Sequence, residues 1–213
     1  VERSLKLSTN PKVLEQLNIV KRNSRLLLAL INQLMDFRKV DSGKMELVKT
    51  QQNFVEFLDD LILPFEDLVK ERGITFSKQY RVNPPEFLFD RDNMQKVIGN
   101  LLSNAIKFTP DGGRISVIAS TYTDRSDQKE RLYVAVKDTG KGIPEEDLEK
   151  IFDRFFQSKQ NQSYSGYGQS GTGIGLFLCK RIIQLHNGKI EARNQSSGGS
   201  SFRFIIPIER RLT

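Results

Sequence analysis

The sequence of 213 residues is poor in the residues that build disulfides and metal centres. It contains one cysteine, Cys179, one histidine, His186, and no tryptophan. A single cysteine excludes an internal disulfide, and a single histidine excludes a zinc site built from Cys and His ligands. Cys179 lies in an apolar helical pattern, which favours a buried small side chain over a reactive nucleophile.

Long hydrophobic runs are also missing. The longest aliphatic run, residues 26–31, is far too short to cross a bilayer, and the first residues lack the pattern of a signal peptide. We therefore expect no direct contact of this chain with a membrane. The length suits one large domain or two modest ones.

The charge balance is basic, with a net charge of +7 and an isoelectric point near 9.5. Such a balance raises the question of nucleic acid. Lys and Arg are spread along the chain in singles and doublets, without interleaved aromatic residues and without a known nucleic-acid motif. The sequence therefore predicts no nucleic-acid partner, and the excess charge fits a solvated surface or a polyanionic small ligand.

Residues 11–40 have the periodicity of one long helix. Apolar positions alternate at spacings of four and three, which is the pattern of a helix bundle or coiled coil. Additional apolar residues widen the stripe and favour a four-helix bundle. We predict that residues 1–44 form a partial dimerisation region, in which residues 1–8 end a preceding helix and the 11–40 helix joins two copies of the chain.

From residue 45 to residue 213 the pattern is mixed and predicts a second, α+β domain. Strands are expected at 45–49, 74–80, 86–90, 114–122, 132–138, 189–194 and 200–208, and helices at 53–72, 91–108 and 173–185. Helices interleaved with strands and hairpins indicate a mixed β-sheet covered on one face by helices. Residues 158–172 contain no aliphatic side chain, so this segment cannot pack a core and is expected to be mobile.

The helix at 91–108 contains the stretch GNLLSNAIKF, residues 99–108. Its apolar stripe would face a core, whereas Asn100, Asn104 and Lys107 share the opposite face because they are spaced by four and three. Asparagine is a mediocre helix former, so two of them one turn apart call for a reason. A solvated polar face and a ligand-binding face both fit this stretch taken alone.

Two glycine-rich stretches follow. DTGKGIP, residues 138–144, comes directly off a predicted strand, and a surface turn explains it as well as a binding loop does. GTGIGL, residues 171–176, precedes a helix, where glycines let backbone N–H groups approach a phosphate. Its spacing differs from the dinucleotide-binding fingerprint, and no Walker-type phosphate loop occurs in the sequence.

Four motifs in order, NLLSNAIKF, DTGKGIP, FDRFF and GTGIGLFL, together resemble the catalytic and ATP-binding domain of sensor histidine kinases. The resemblance covers residues 45–208. The preceding LLLALINQLMDFRKVDSGKMEL resembles the second helix of that family's dimerisation and phosphotransfer hairpin. Its sequence is most like that of hybrid two-component sensors of Bacteroides-type bacteria. The resemblance implies the cytoplasmic part of an inner-membrane sensor, with the family's ATP-binding fold.

The resemblance implies ATP and Mg²⁺ as cofactors. Asn100 and Asn104 would coordinate Mg²⁺ through their amide oxygens, which are the hard ligands this ion prefers, and Lys107 would offset phosphate charge. These three residues would therefore be the catalytic ones. Asp138 would accept a hydrogen bond from the exocyclic amine of adenine, whereas guanine presents a carbonyl there.

The remaining nucleotide contacts are also implied by the resemblance. Gly140, Gly142 and Ile143 would lie close to the base. Phe155 and Phe156 would hinge and anchor a lid over residues 158–172. The end of the lid and the following helix would reach the phosphates through Gly171, Thr172, Gly173, Gly175 and Leu176. Gln157 departs from the family pattern, because relatives often carry a phosphate-contacting arginine there.

The same fold serves gyrase-type topoisomerases, chaperones and mismatch-repair ATPases, which hydrolyse ATP with a glutamate as general base. Asn100 stands at that position, and an amide cannot activate water near neutral pH. The sequence therefore favours phosphoryl transfer to a histidine, followed by relay to the receiver domain of a response regulator. A nucleotide-binding, dimerising scaffold without phosphotransfer and a related ATPase remain open as alternatives.

The acceptor histidine of such a kinase belongs on the first hairpin helix, and nothing of that kind precedes residues 1–8. His186 lies in QLHNGKI, between a predicted helix and strand, where a structural role is favoured. We therefore expect the chain to bind ATP without phosphorylating itself.

Overall fold

The structure is a computed structural model and describes residues 10–158 and 172–210. The chain divides into two compact units, one ending at Met45 and the other starting at Glu46. Each unit has its own architecture. The predicted segment before the first helix, residues 1–8, lies outside the described residues.

The first unit is built on one helix, α1 (Pro11–Asp41). The Asn10 side chain caps its N-terminus by accepting a hydrogen bond from the Lys12 backbone N–H at 3.0 Å, and Pro11 takes the first helical position. Gly43, at φ 66°, follows the C-terminal end. The long helix predicted from the periodicity is confirmed.

The described part of the second unit contains three further α-helices and seven strands. In chain order these are β1 (Thr50–Asn53), α2 (Phe54–Glu71), β2 (Thr75–Arg81), β3 (Glu86–Phe89), α3 (Arg91–Phe108), β4 (Arg114–Thr123), β5 (Glu130–Asp138), α4 (Gly175–Leu185), β6 (Lys189–Asn194) and β7 (Ser200–Pro207). A short 3₁₀ turn, Glu145–Asp147, follows β5.

Five of the strands form one mixed sheet in the order β2-β4-β5-β7-β6. Among the described strand pairs of this sheet, β2–β4 is parallel and the others are antiparallel. Alternate strand residues are buried on one face, as Val117 and its partner Val136 show, and α2, α3 and α4 pack against the strands. The predicted mixed sheet covered by helices is confirmed.

A second, two-stranded sheet pairs β1 with β3 in antiparallel register. Four phenylalanines that meet between this sheet and α2 form a fully enclosed cluster, with ring centroids 5.2–5.6 Å apart. They are Phe54, Phe57, Phe87 and Phe89. This cluster anchors α2, whose N-terminus is capped by the side chain of Asn53.

Two predicted boundaries are wrong. No strand covers residues 45–49, and the strand of this region is β1, which starts at Thr50. The alternating pattern of residues 45–49 resembles a strand, but the pairing of Thr50 with Phe89 sets the register, and that partner is distant in the sequence. The helix predicted from residue 173 begins at Gly175, because Gly173 has a φ of 68° that a helix does not accommodate.

Candidate active site

The asparagine-bearing helix α3 is fixed at both ends. The Asp90 carboxylate caps its N-terminus, accepting from the Asn93 backbone N–H at 2.9 Å and also from the Val48 N–H at 2.8 Å. At the other end, the Arg72 guanidinium donates to the carbonyl oxygens of Ile106 and Thr109, at 2.6 and 2.8 Å. A cation at a helix C-terminus is favourable, so Arg72 holds the turn that carries Lys107.

The helix presents its polar face as predicted. Asn100 and Asn104 are half-buried and Lys107 is exposed, whereas the apolar residues of the opposite stripe are buried. Asn100 lies against α4, where a Cβ added to Gly175 would come within 3.0 Å of its Oδ1 atom. The absence of a side chain at Gly175 therefore makes room for the Asn100 amide.

Cys179, one turn further along α4, contacts the same amide. The thiol donates to the Val97 carbonyl oxygen, with its Sγ atom 3.7 Å away, and the nearby Asn100 side chain acts to lower the pKa of the thiol. Burial raises the pKa of the Cys179 thiol to about 12, so it stays protonated at neutral pH. The predicted burial of Cys179 is confirmed.

Two lysines converge on the C-terminal end of α3. The Nζ atoms of Lys107 and Lys141 lie 5.3 and 5.5 Å from the centroid of the Phe108 ring. Partial desolvation of its ammonium group, together with the positive charge of Lys141, lowers the pKa of the otherwise exposed Lys107. Two cations that share one aromatic ring form a site suited to a polyanion. Lys141 was not among the site residues predicted from the sequence, although it lies inside the motif DTGKGIP.

The Asp138 carboxylate ends β5 and is buried, with 3% of the residue exposed. Its Oδ1 atom accepts from the Gly140 N–H at 2.8 Å and from the Ser200 N–H at 3.3 Å. Its Oδ2 atom accepts from the Ser200 hydroxyl. Ser200 was also missed, because nothing but its position after two glycines singles it out in the sequence.

The loop after Asp138 makes an unusually close contact with α3. A Cβ added to Gly140 would lie 2.4 Å from the Phe108 carbonyl oxygen, so only glycine allows this approach. Gly142 adopts a φ of 75°, and Ile143 is held by the side chain of Asn194 through its N–H at 2.8 Å. Contacts therefore bring Asp138, Gly140, Lys107 and Lys141 together around the end of α3.

The motif FDRFF meets the start of the glycine-rich stretch. The Phe155 N–H donates to the Gly173 carbonyl at 3.1 Å, and Gly173 leaves no room for a Cβ, which would lie 2.6 Å from the Phe155 backbone. The Phe155 side chain is 58% exposed, whereas Phe152 is buried and makes an edge contact with Phe202. The residues that flank the predicted lid, 158–172, are therefore joined by their backbones.

Other predicted residues flank this junction. Phe156, Thr172 and Leu176 are half-buried, and Gln157 is exposed. The Thr172 Oγ1 atom accepts a hydrogen bond from the Ile174 N–H at 3.3 Å, just ahead of α4. Gly171 and most of the predicted lid, residues 159–171, lie outside the described residues.

Comparisons with known proteins place this geometry in a family. The family described as "Histidine kinase-, DNA gyrase B-, and HSP90-like ATPase" matches residues 89–210, more than half of the chain. The chain belongs to this family.

Among the relatives are sensor histidine kinases. Hybrid signal transduction histidine kinase D of Dictyostelium discoideum is 38% identical over 196 residues, which are 92% of this chain and 12% of that protein. The autoinducer 2 sensor kinase/phosphatase LuxQ of Vibrio vulnificus is 32% identical over 99% of this chain and 24% of its own length. The chain thus spans less than a quarter of either relative.

Solved structures agree with the assignment. The nucleotide-free catalytic domain of histidine kinase ThkA is 32% identical and has a TM-score of 0.63, covering 76% of this chain and 98% of that domain. A structure of ThkA in complex with the response regulator protein TrrA is 27% identical, with a TM-score of 0.67, over 97% of this chain and 55% of that one. The chain contains the ATP-binding domain of a sensor histidine kinase, as the motifs predict.

His186, the one histidine of this kinase domain, is buried at the end of α4 with 3% exposure. Its Nδ1 atom lies 2.9 Å from the Ile182 carbonyl oxygen and donates to it, while the buried Nε2 atom has no hydrogen-bond partner among the described residues. Burial is the main cause that lowers the pKa of His186. An enclosed, neutral imidazole cannot meet a phosphoryl group, which supports the structural role predicted for it.

Within residues 10–158 and 172–210, no three His, Cys, Asp or Glu side chains come together as a metal site, and no helix is long and apolar enough to span a membrane. The polar face of α3 offers the amide oxygens of Asn100 and Asn104, which are ligands of the kind that Mg²⁺ accepts.

Proposed function

We propose that this chain is the kinase part of a two-component sensor. It would bind Mg-ATP and transfer the γ-phosphoryl group to a histidine of the dimerisation region, for relay to an aspartate of a response-regulator receiver domain. The observation that carries the proposal is the position of the buried Asp138 carboxylate beside the end of α3, where the asparagine face and two lysines converge.

We infer that Asp138 recognises adenine through an acceptor position that the described residues leave open. A carboxylate has about four lone-pair positions, and within residues 10–158 and 172–210 two N–H groups and the Ser200 hydroxyl use three of them. The remaining position on Oδ2 suits an amine donor such as that of adenine. A guanine carbonyl there would face the carboxylate without a proton between them, which disfavours GTP.

The triphosphate of the bound ATP is proposed to lie along the polar face of α3. Asn100 and Asn104 would hold Mg²⁺, which when bound neutralises phosphate charge, and Lys107 and Lys141 add positive charge nearby. The contacts of Gly173 with Phe155 and of Gly175 with Asn100 bring the N-terminus of α4 to the same region. Backbone N–H groups at a helix N-terminus favour anions. Gly171, Thr172 and Leu176 are proposed as further contacts.

Transfer is favoured over hydrolysis because Asn100 lacks basicity. The Asn100 amide is engaged by Cys179 and lies against Gly175, so it is oriented by α4 and does not act on water as a carboxylate would. Relay to a response regulator is supported by the ThkA–TrrA complex of a similar protein. A hybrid parent of the Bacteroides type, located in the inner membrane, remains part of the proposal.

The test is a titration of the chain with ATP, GTP and a non-hydrolysable ATP analogue in the presence of Mg²⁺. Asp138→Asn should weaken ATP binding about ten- to hundredfold, because it removes a hydrogen bond to a charged group. Asp67→Asn, an exposed carboxylate on α2, is the matched control and should bind like the wild type. Equal affinity for ATP and GTP in the wild type would contradict the site.

A second measurement separates the kinase from the ATPase. With radiolabelled ATP and a histidine-bearing helical hairpin of a related kinase, label should accumulate on the hairpin and be lost in acid. The chain itself should stay unlabelled, since His186 is enclosed. Rapid release of inorganic phosphate without labelling of the hairpin would favour the ATPase, and binding without either product would favour the scaffold.

A further inference from the structure

The turn between β6 and β7, residues 194–200, holds the loop that carries Asp138. This loop, residues 138–145, is called the adenine loop below, a name that rests on the proposed function. Asn194 pairs with the backbone of one residue of the loop: its Nδ2 atom donates to the Ile143 carbonyl at 2.7 Å, and its Oδ1 atom accepts from the Ile143 N–H at 2.8 Å. The same Nδ2 atom donates to the Glu145 carboxylate at 3.2 Å.

Gln195 holds the other end of the adenine loop. Its Nε2 atom donates to the Asp138 carbonyl at 2.7 Å and to the Ser200 carbonyl at 3.1 Å. The turn is closed by its own backbone bonds, since the Gln195 N–H donates to Gly199 at 3.0 Å. The neighbouring side chains of Asn194 and Gln195 therefore hydrogen bond to both ends of the loop. Ser200 of the same turn contacts the Asp138 carboxylate.

We propose that Asn194 and Gln195 are positioning residues that set the selectivity for the purine 6-amine. The loop contains Gly140 and Gly142, which restrict the backbone little, so its own sequence does not fix the carboxylate. A carboxylate selects an amine over a carbonyl only if it cannot move away from the wrong base. The turn supplies that restraint, because it holds the backbone on both sides of the recognition group.

The hydrogen-bond roles point to isosteric tests. Asn194→Asp keeps an acceptor for the Ile143 N–H but loses the donor and places a carboxylate beside the Ile143 carbonyl and Glu145. Gln195→Glu likewise places a carboxylate opposite two carbonyl oxygens. Each change replaces a contact between a donor and an acceptor by one between two acceptors, and the size of the side chain stays the same. Gln79→Glu, on the exposed β2 strand, introduces the same charge elsewhere and is the control.

The experiment compares the affinities for ATP and inosine triphosphate, which carries a carbonyl in place of the 6-amine. The ratio of the two affinities is measured for the wild type, both variants and the control, and thermal unfolding is followed in parallel. We expect the ratio to fall roughly tenfold in Asn194→Asp and in Gln195→Glu, with no change in the control. Gln195→Met, which keeps the length but removes the donor, replaces Gln195→Glu if that variant does not fold.

A wild-type ratio near one would contradict the role of Asp138, and therefore the proposed function, before any variant is considered. If the wild type prefers ATP but the variants lose affinity for both nucleotides equally, the turn has only a structural role and the inference is overturned. A preserved ratio with unchanged affinities overturns it as well. Only a selective loss for ATP supports it.

Discussion

The helices α1 and α3 are both amphipathic, yet their apolar sides have different surroundings. Leu101 of α3 is fully buried, whereas Leu27 of α1 is 59% exposed within the described structure. The stripe of α3 lies against the sheet and α4 of its own unit, so its burial stabilises the kinase fold. On α1, apolar residues such as Leu27 and Ile31 stay exposed among the described residues, so the periodicity predicts a buried face but does not identify its partner.

The largest expected effect tests this contrast on stability. Leu101→Ala should lower the free energy of unfolding of the second unit by about 2–5 kcal/mol, because it removes buried methyl groups and leaves a cavity. Leu27→Ala should change it by less than about 0.5 kcal/mol when the chain is dilute. Urea denaturation of both variants is the measurement. Similar losses in the two variants would show that α1 packs as a core helix does.

The next prediction addresses the partner of α1. We propose that α1 joins two copies of the chain through exposed apolar residues such as Val20, Leu27 and Ile31. Leu27→Asp should then weaken self-association by more than tenfold, since burying a leucine stabilises by about 1.5–3 kcal/mol. Sedimentation measures the effect. Asn32→Asp introduces the same charge at an exposed polar position of α1 and is the control. A wild type that stays monomeric at high concentration would contradict the proposal.

Within the second unit, contact and backbone strain can be separated at two adjacent glycines. Gly198 and Gly199 have φ values of 87° and 86°, but a Cβ on Gly199 would lie 2.0 Å from the Asp138 carbonyl, whereas Gly198 has open space. Gly198→Ala should cost about 1 kcal/mol of unfolding free energy from strain. Gly199→Ala should cost clearly more and weaken ATP binding. Equal costs would mean that the contact contributes nothing.

The smallest effect expected is a pH dependence confined to the second unit. The pKa of His186 is lowered by burial, so the unfolded chain binds the proton more readily, and stability should fall as the pH drops below about 6.5. The slope is at most roughly 1.4 kcal/mol per pH unit. His186→Gln should flatten it, with the nearby charges of Lys49, Asp90 and Glu209 unchanged.

The contrast with α1 provides the control for that pH dependence. This helix contains no histidine, so its self-association should stay constant between pH 7 and pH 6. Unfolding of the wild type and of His186→Gln is compared by urea titration at each pH. Parallel slopes in the two proteins would mean that His186 does not titrate during unfolding.

Most local structure followed from the sequence because its causes are local. Helix α3 has the predicted bounds, 91–108, since the Asp90 cap and the apolar spacing of four and three act within a few residues. The polar face with Asn100, Asn104 and Lys107 follows from the same geometry. A predicted strand boundary was wrong where strand pairing sets it. Strand β1 begins at Thr50 because β3 lies opposite it, and no pattern in residues 45–49 reveals this pairing.

The course of the helices, the glycine loops and the family of the chain are predictable from the sequence, because these depend on residues close together along the chain. The groups that surround Asp138 are brought there by tertiary contacts. Ser200 and Gln195 are 62 and 57 residues away, and Asn194 is 51 residues from Ile143. Sheet register, set by the order β5-β7-β6, brings them together. Such contacts depend on strand pairing over long separations, which no local spacing records.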